Sequence, residues 1–335
     1  MSVVVHNPGM LATVQDLGRD GFGSLGVSRS GAADTLSLRV GNRLLSNPDN
    51  AAAIEATLAG GSFEFTRASA LVLAGASTSA TLVRRDGSRT GVHMWTPMVA
   101  LPGDVLTIGA IGGTGEGCRV YVCVMGGIDT PLVMNSRATQ VGSMMSGGEW
   151  SGGVGGLADV RGVATGVPLR AGDVLPIGER GERTRLISAS LRARCHESIT
   201  RRVIRVTRGP QWEVLSTAER EAFGVPRRVL DRFDRRGVRL SPGVAFDAGA
   251  NTLPTQPTDV GFIQAPGAGE LIVLGPDGPP TGGYAVVACA ASVDVPSLGQ
   301  LRPGDSVRFE VVDVARAREL LAELWGEVDR ELPAR

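Results

Sequence analysis

The sequence predicts a mainly β protein with a few helices, built as two related halves, and three observations point there. Short runs rich in Val, Ile and Leu recur along the 335 residues, most of them bounded by Gly, Pro or Asp. Glycine supplies 47 residues, about twice the ~7% share of an ordinary chain, as many tight turns between short strands require. An L-x-x-G-D-x-[LV] pattern returns at Leu101–Leu106 (one position shorter), Leu169–Leu175 and Leu301–Val307, which reads as a turn feeding a strand.

The predicted strands are Val3–His6, Ser62–Phe65, Ala70–Ala74, Val105–Ile108, Arg119–Met125, Val203–Thr207, Glu270–Leu274, Ala285–Ala290 and Ser306–Val312. Three helices are predicted among them. Asp34 caps a segment running to about Ser46, where Asn47-Pro48 stops it, with Leu36, Val40 and Leu44 on one face. Ser216-x-x-Glu219 is a capping box before a brief helix that Gly224 ends. From Asp313 onward, Leu320, Leu321, Leu324, Trp325 and Val328 form an apolar stripe at helical spacing. A second echo pairs Phe22–Asp34 with Phe223–Asp231. The polar stretch from Arg192 to Arg202 separates the halves, giving an N-terminal domain over 1–199 and a C-terminal domain over 200–335.

Composition removes several function classes. The 34 basic and 34 acidic residues balance, so no electrostatic footprint for nucleic acid or an anionic membrane is expected. Every basic residue of those 34 is Arg, and the chain has no Lys. A Schiff base, a P-loop GK[ST], a lysine-dependent serine amidase and covalently attached biotin are thereby excluded from this chain. Cys118, Cys123, Cys195 and Cys289 form no CxxC pair, so neither a metal site nor a disulfide framework is expected. The start MSVVVHNPG lacks the basic, then apolar pattern of a signal peptide, and no run reaches ~18 apolar residues; a soluble, cytoplasmic protein is expected.

Three segments carry candidate chemistry. Thr13–Asn42 places Gln15, Asp16, Arg19, Ser28, Ser30 and Asp34 on a backbone bent by Gly18, Gly21, Gly23, Gly26 and Gly31. Glycine amides and Arg19 suit an anion; the competing reading is that Asp16 and Arg19 pin a loop. Its Gly26-Val-Ser28-Arg-Ser30 misses the GxSxG elbow, which argues against a serine hydrolase. Asp231–Leu240 concentrates Arg232, Asp234, Arg235, Arg236 and Arg239, either as a solvated loop laced with ion pairs or as an Arg cluster for carboxylate, phosphate or carbonate. Gly261–Gly267 followed by Gly275–Tyr284 reads as a hairpin loop with an anchoring aromatic, or as a close approach of backbone to a ligand. His6 adjoins a Gly/Pro turn and reads as structural.

Taken in order, TVQDLGRDGFGSLGVSRSGAAD, GGIDTPLVMNSRAT, DRRGVRL, GFIQAPGAGELIVL and TGGY resemble the allophanate hydrolase subunit 2, or KipA/PxpC, family of 5-oxoprolinase C subunits. That family is related to the carboxyltransferase part of urea carboxylase. The resemblance runs from about residue 3 to 312 and implies two cyclophilin-like β-barrels in tandem. It further implies a KipI/PxpB-like B subunit, a PxpA-like A subunit, and ATP used by the assembly to open 5-oxo-L-proline to L-glutamate. The family's motifs fall on Asp34, Asp234 and Arg235, which we expect to be catalytic, and on Arg19, Arg239, Gln264 and Tyr284, which we expect to bind substrate. The chain departs from the family pattern at Gln256, where an acid usually stands and would be a candidate general base, and at Ala265-Pro266, Pro279-Pro280 and Ala138. Two alternatives keep the same residues: a carboxyltransferase-type subunit receiving carboxybiotin from another chain, and a KipA-like antagonist that binds a KipI-like kinase inhibitor. The glycine-rich opening then forms one wall of a cleft whose other wall comes from the second half.

Overall fold

A computed structural model describes residues 2–113, 116–144, 150–151, 166–179, 181, 183–242, 253–267 and 269–334. The chain is mainly β with a few helices and divides into two units. The first comprises Met1–Arg19, Ser30–Ile199 and Glu327–Arg335; the second comprises Asp20–Arg29 and Thr200–Gly326. The two units are discontinuous in sequence: Asp20–Arg29, the tip of the glycine-rich opening, belongs to the second, and Glu327–Arg335, which takes in the end of the C-terminal helix, to the first.

The first unit contains β1 (Ser2–Asn7), β2 (Leu11–Gln15), α1 (Thr35–Leu44), β3 (Ala53–Thr57), β4 (Ser62–Phe65), β5 (Ser69–Gly75), β6 (Thr78–Val83), β7 (Arg89–Gly91), β8 (Met98–Ala100), β9 (Val105–Ile111) and β10 (Arg119–Val124). It continues with β11 (Ser143–Met144), β12 (Trp150–Ser151), β13 (Val174–Pro176) and α2 (Ala189–Thr200). Its strands form a six-stranded sheet ordered β13-β1-β4-β9-β6-β7 and a five-stranded sheet ordered β2-β3-β10-β5-β8. Every residue of β3, β5 and β10 is buried, so these strands lack the alternation that marks a half-exposed strand. α1 packs on β5 and β10, and glycine at position 41 permits the close approach: a Cβ there would sit 2.7 Å from Cys123 Sγ.

The second unit contains β14 (Val203–Arg208), α3 (Thr217–Glu221), β15 (Arg227–Phe233), β16 (Gly237–Leu240), β17 (Gln256–Pro257), β18 (Phe262–Ala265), β19 (Leu271–Leu274), β20 (Thr281–Gly282), β21 (Ala285–Ala290), α4 (Val295–Leu298), β22 (Ser306–Val311) and most of α5 (Val314–Glu331). Seven strands close into a barrel in the order β14-β21-β18-β19-β16-β15-β22, which leaves no unpaired edge. Ile204, Val229, Leu240, Ile263, Leu271, Val287 and Phe309 fill its core. Trp212 meets Phe223 edge-on at 5.2 Å, and Phe223 lies 5.2 Å from Phe309, each aromatic pair adding about 0.5–1.5 kcal/mol beyond area burial.

The repeated turn is the same device three times. Asp104, Asp173 and Asp305 each donate a backbone N–H to the carbonyl three residues back and accept that residue's N–H on the carboxylate. Gly103, Gly172 and Gly304 hold φ of 86°, 91° and 91°, a conformation costing an L side chain about 1–2 kcal/mol. Each turn launches a strand, β9, β13 or β22.

Candidate functional site

In the first unit the opening motif folds as a buttress. Asp16 is 1% exposed; its Oδ1 accepts from Gly18 N at 2.8 Å and Ser136 Oγ at 2.7 Å, and its Oδ2 accepts from Arg137 N at 2.6 Å. Arg19 is buried and donates from Nη2 to the Ala138 carbonyl. Gln15 Nε2 donates to Thr13 Oγ1 at 2.9 Å and to the Thr139 carbonyl at 2.8 Å. The Gln15–Arg19 stretch is thereby locked to Ser136–Thr139, which is the loop-pinning reading of Asp16 and Arg19. At Gly31, φ is 90° and a Cβ would lie 2.6 Å from Gly18 N, so only glycine lets these two turns touch.

Asp34, expected to be catalytic, is 1% exposed and is the N-cap of α1, accepting from Ser37 N at 2.9 Å and Ser37 Oγ at 2.6 Å. Its own N–H donates to Tyr121 Oη at 2.8 Å, and that hydroxyl donates to Glu55 Oε2 at 2.7 Å. Glu55 also accepts from Ala33 N at 3.0 Å and lies 3.5 Å from Arg119 Nε. Burial, then the Glu55 and Asp34 carboxylates, push the Tyr121 hydroxyl well above the ordinary tyrosine value. It stays a neutral donor here. Sequence reasoning missed this network; the lone Tyr in the apolar run RVYVCV was its signal.

In the second unit Arg235 is 4% exposed and grips Asp277 with two hydrogen bonds, Nε to Oδ2 at 2.9 Å and Nη2 to Oδ1 at 3.1 Å. Asp277 N returns a bond to the Arg235 carbonyl at 3.0 Å. Asp234 is exposed and caps the β15–β16 turn, accepting from Arg236 N at 2.7 Å and Gly237 N at 3.2 Å. Arg239 pairs with Glu270 at 3.3 Å with its side chain 36% exposed, and Glu270 also meets Arg232 at 3.2 Å. The Arg-rich motif is thus a strand pair and turn stitched by ion pairs.

Gln264 behaves differently. It is 3% exposed on β18, and its Nε2 has no hydrogen-bond partner among the described residues. A buried donor left unmade costs about 1–3 kcal/mol. Glycine lets the turn pack onto it: a Cβ on Gly282 would stand 2.8 Å from Gln264 Nε2. Gly282 lies against this amide with Thr258 packed beside Gly282, and Tyr284, two residues further along, is 45% exposed. Backbone bonds tie the segment down: Leu253 N to the Gly283 carbonyl at 2.9 Å and Thr258 N to the Pro280 carbonyl at 2.9 Å. Ser28, from the opening segment, donates to the Gly278 carbonyl at 2.7 Å in the same unit. The IQ and TGGY motifs therefore converge, and Gln256 joins them through Tyr284.

The Gln264 amide and the Gly282 turn packed over it are groups suited to an oxygen of a compact polar ligand. Among the described residues no three His, Cys, Asp or Glu side chains converge as a metal site. No helix among the described residues is long and apolar enough to cross a membrane.

A family model, carboxyltransferase domain subdomain A and B, matches residues 25–311. The chain is 32% identical over 302 residues to the 5-oxoprolinase C subunit of Escherichia coli, covering 90% of this chain and 88% of that one. It is 32% identical over 343 aligned positions to urea amidolyase of Lachancea kluyveri, covering 94% of this chain and 17% of that one. The crystal structure of K. lactis urea amidolyase superposes with a TM-score of 0.83 at 26% identity, covering 98% of this chain and 20% of that chain. The chain therefore spans nearly all of the 5-oxoprolinase relative but about a fifth of either urea amidolyase.

Proposed function

The chain belongs to the carboxyltransferase domain, subdomain A and B, family, and from that premise we propose that it is the C subunit of a heteromeric, ATP-dependent 5-oxoprolinase. The observation that supports this most is the near end-to-end match to the Escherichia coli C subunit, 90% of this chain against 88% of that one. The reaction opens 5-oxo-L-proline to L-glutamate, and the rest of the assembly is a KipI/PxpB-like B subunit with a PxpA-like A subunit. ATP phosphorylates the lactam oxygen and releases ADP. Water adds to the carbon that bears it, the ring C–N bond breaks as the nitrogen takes a proton, and a second water hydrolyses the resulting acyl phosphate to glutamate and phosphate. This chain has no Lys, so phosphate contacts that need one come from a partner.

Within this chain Gln264 Nε2 donates to an oxygen of the substrate, satisfying its buried N–H on binding. Tyr284 covers the ligand, and glycine at 282 and 283 admits it. Arg239, half-buried and 3.3 Å from Glu270, is the substrate-side cation. Arg235, Asp34, Asp234 and Arg19 shape the scaffold through the bonds described above. Co-expression with the B and A subunits should give ATP-dependent glutamate from 5-oxoproline; an assembled complex that releases none would remove this reading.

The likeness to urea amidolyase favours a second reading, a carboxyltransferase-type subunit that takes carboxybiotin from another chain. Binding of a biotinylated carrier protein in a pull-down, with no response to 5-oxoproline, distinguishes it.

A further inference from the structure

The turn that carries Tyr284 is held by two glutamines whose amide orientations the structure fixes. Val286 N, a backbone donor with no other option, donates to Gln211 Oε1 at 2.8 Å. That places the Gln211 oxygen, so its Nε2 is the donor facing Gln256 Oε1 at 3.1 Å. Gln256 Nε2 is then the donor facing Gln211 Oε1 at 3.2 Å and the Tyr284 carbonyl at 3.1 Å. Each amide gives and receives, and one end of the chain of bonds is the backbone of β21. Gln256 also lies opposite Gly282 in the β17–β20 pair, the glycine against Gln264 Nε2.

We infer that Gln211 and Gln256 form a neutral amide clasp that positions the Thr281–Tyr284 turn over the Gln264 donor, and so sets how tightly the substrate site proposed around that donor holds its ligand. Both are positioning residues, and neither is a general base. The requirement at 256 is specific: two N–H groups must face two carbonyl oxygens, 3.2 and 3.1 Å away. A carboxylate there would confront both acceptors with charge and give up both donated bonds. The requirement at 211 is looser. A carboxylate at 211 still accepts from Val286 N and Gln256 Nε2, and loses only the bond to Gln256 Oε1. The clasp therefore predicts an asymmetry that simple loss of two polar contacts does not.

The effect on affinity rests on the proposed 5-oxoprolinase reading; the effect on the turn does not. The test uses the full chain with Gln256→Glu, Gln211→Glu and the uncharged Gln256→Met, reading amide hydrogen exchange across 281–288 and calorimetric binding of 5-oxo-L-proline. Gln256→Glu should speed exchange there and weaken binding, each about tenfold or more by loss of two bonds of ~1 kcal/mol apiece. Gln256→Met should follow it, and Gln211→Glu, losing one bond, should change either by about fivefold. Exchange in β16 and β19 should stay as in the wild type, showing a folded barrel. Unchanged exchange in Gln256→Glu, or Gln211→Glu as severe as Gln256→Glu, overturns the clasp. Faster exchange with unaltered affinity overturns the positioning role. A wild-type chain that fails to bind 5-oxo-L-proline sinks the functional reading, while the exchange pattern still decides the clasp.

Discussion

Removing Arg235 should unfold before it inactivates. The guanidinium side chain is 3% exposed and its partner carboxylate 1%, so solvent screening does little to soften the loss. Arg235→Met removes both guanidinium hydrogen bonds to the buried Asp277 carboxylate, and breaking such a pair from one side costs about 3–5 kcal/mol. At a urea m-value of about 2–3 kcal/mol/M, the unfolding midpoint should fall by about 1–2 M. The double variant Arg235→Met, Asp277→Leu replaces the pair by apolar groups of similar reach and should regain most of that stability. Urea titrations followed by tryptophan fluorescence read the change, since Trp212 sits in the core of the same barrel. An Arg235→Met chain of wild-type stability that has lost its activity would refute this reasoning and restore Arg235 as a catalytic cation.

Gln264 should show the opposite signature. Gln264→Leu removes a buried donor that lacks a partner and should raise stability by about 1 kcal/mol while abolishing 5-oxoproline binding, as thermal melts and calorimetry would show. Asp16→Ala removes three accepted hydrogen bonds at a buried carboxylate and should cost several kcal/mol, read in the same melts; a loss under about 1 kcal/mol contradicts the buttress role. The chain should also weaken at alkaline pH. Burial raises the Cys123 thiol from 9.0 to about 12 and raises that of Cys195, so the folded state keeps protons that the unfolded chain releases. That stability is complete below pH ~9 and is lost as pH rises from about 9 toward 12, at about 1.4 kcal/mol per pH unit for each thiol. Cys123→Ala should flatten the decline by one proton; an identical slope contradicts the assignment.

Much of the fold is legible in the sequence, and the reasons are local. The Asp34 cap and the Ser216/Glu219 capping box both form, because a cap is made by residues three apart in sequence. The L-x-x-G-D turns are readable for the same reason. Strands β2 and β3 are hidden because neither alternates: Gln15 and Glu55 lie in them and are buried among apolar neighbours. The α2 segment reads as a polar boundary, yet Leu191, Cys195 and Ile199 recur every fourth residue and are its buried face. For the candidate site residues, sequence alone cannot show whether a charge meets a ligand or a partner in the chain. Asp277 lies 42 residues from Arg235, and the Asp16 partners Ser136 and Arg137 lie 120 and 121 residues away, distances at which only the fold assigns pairs. Gln264 and Gly282 do come together, but Gln211, which bonds to Gln256 and through it to the Tyr284 carbonyl, lies outside every motif.

If Gln264 marks the functional site of this chain, one measurement shows it most directly: 5-oxoproline-dependent phosphate release by the assembled complex containing either wild-type chain or Gln264→Leu. With assembly and melting temperature of the variant at or above wild type, the predicted result is turnover reduced by about a hundredfold or more, since the variant loses the amide donor proposed to meet the substrate oxygen and leaves that oxygen unpaired. Equal turnover from the two complexes would contradict it.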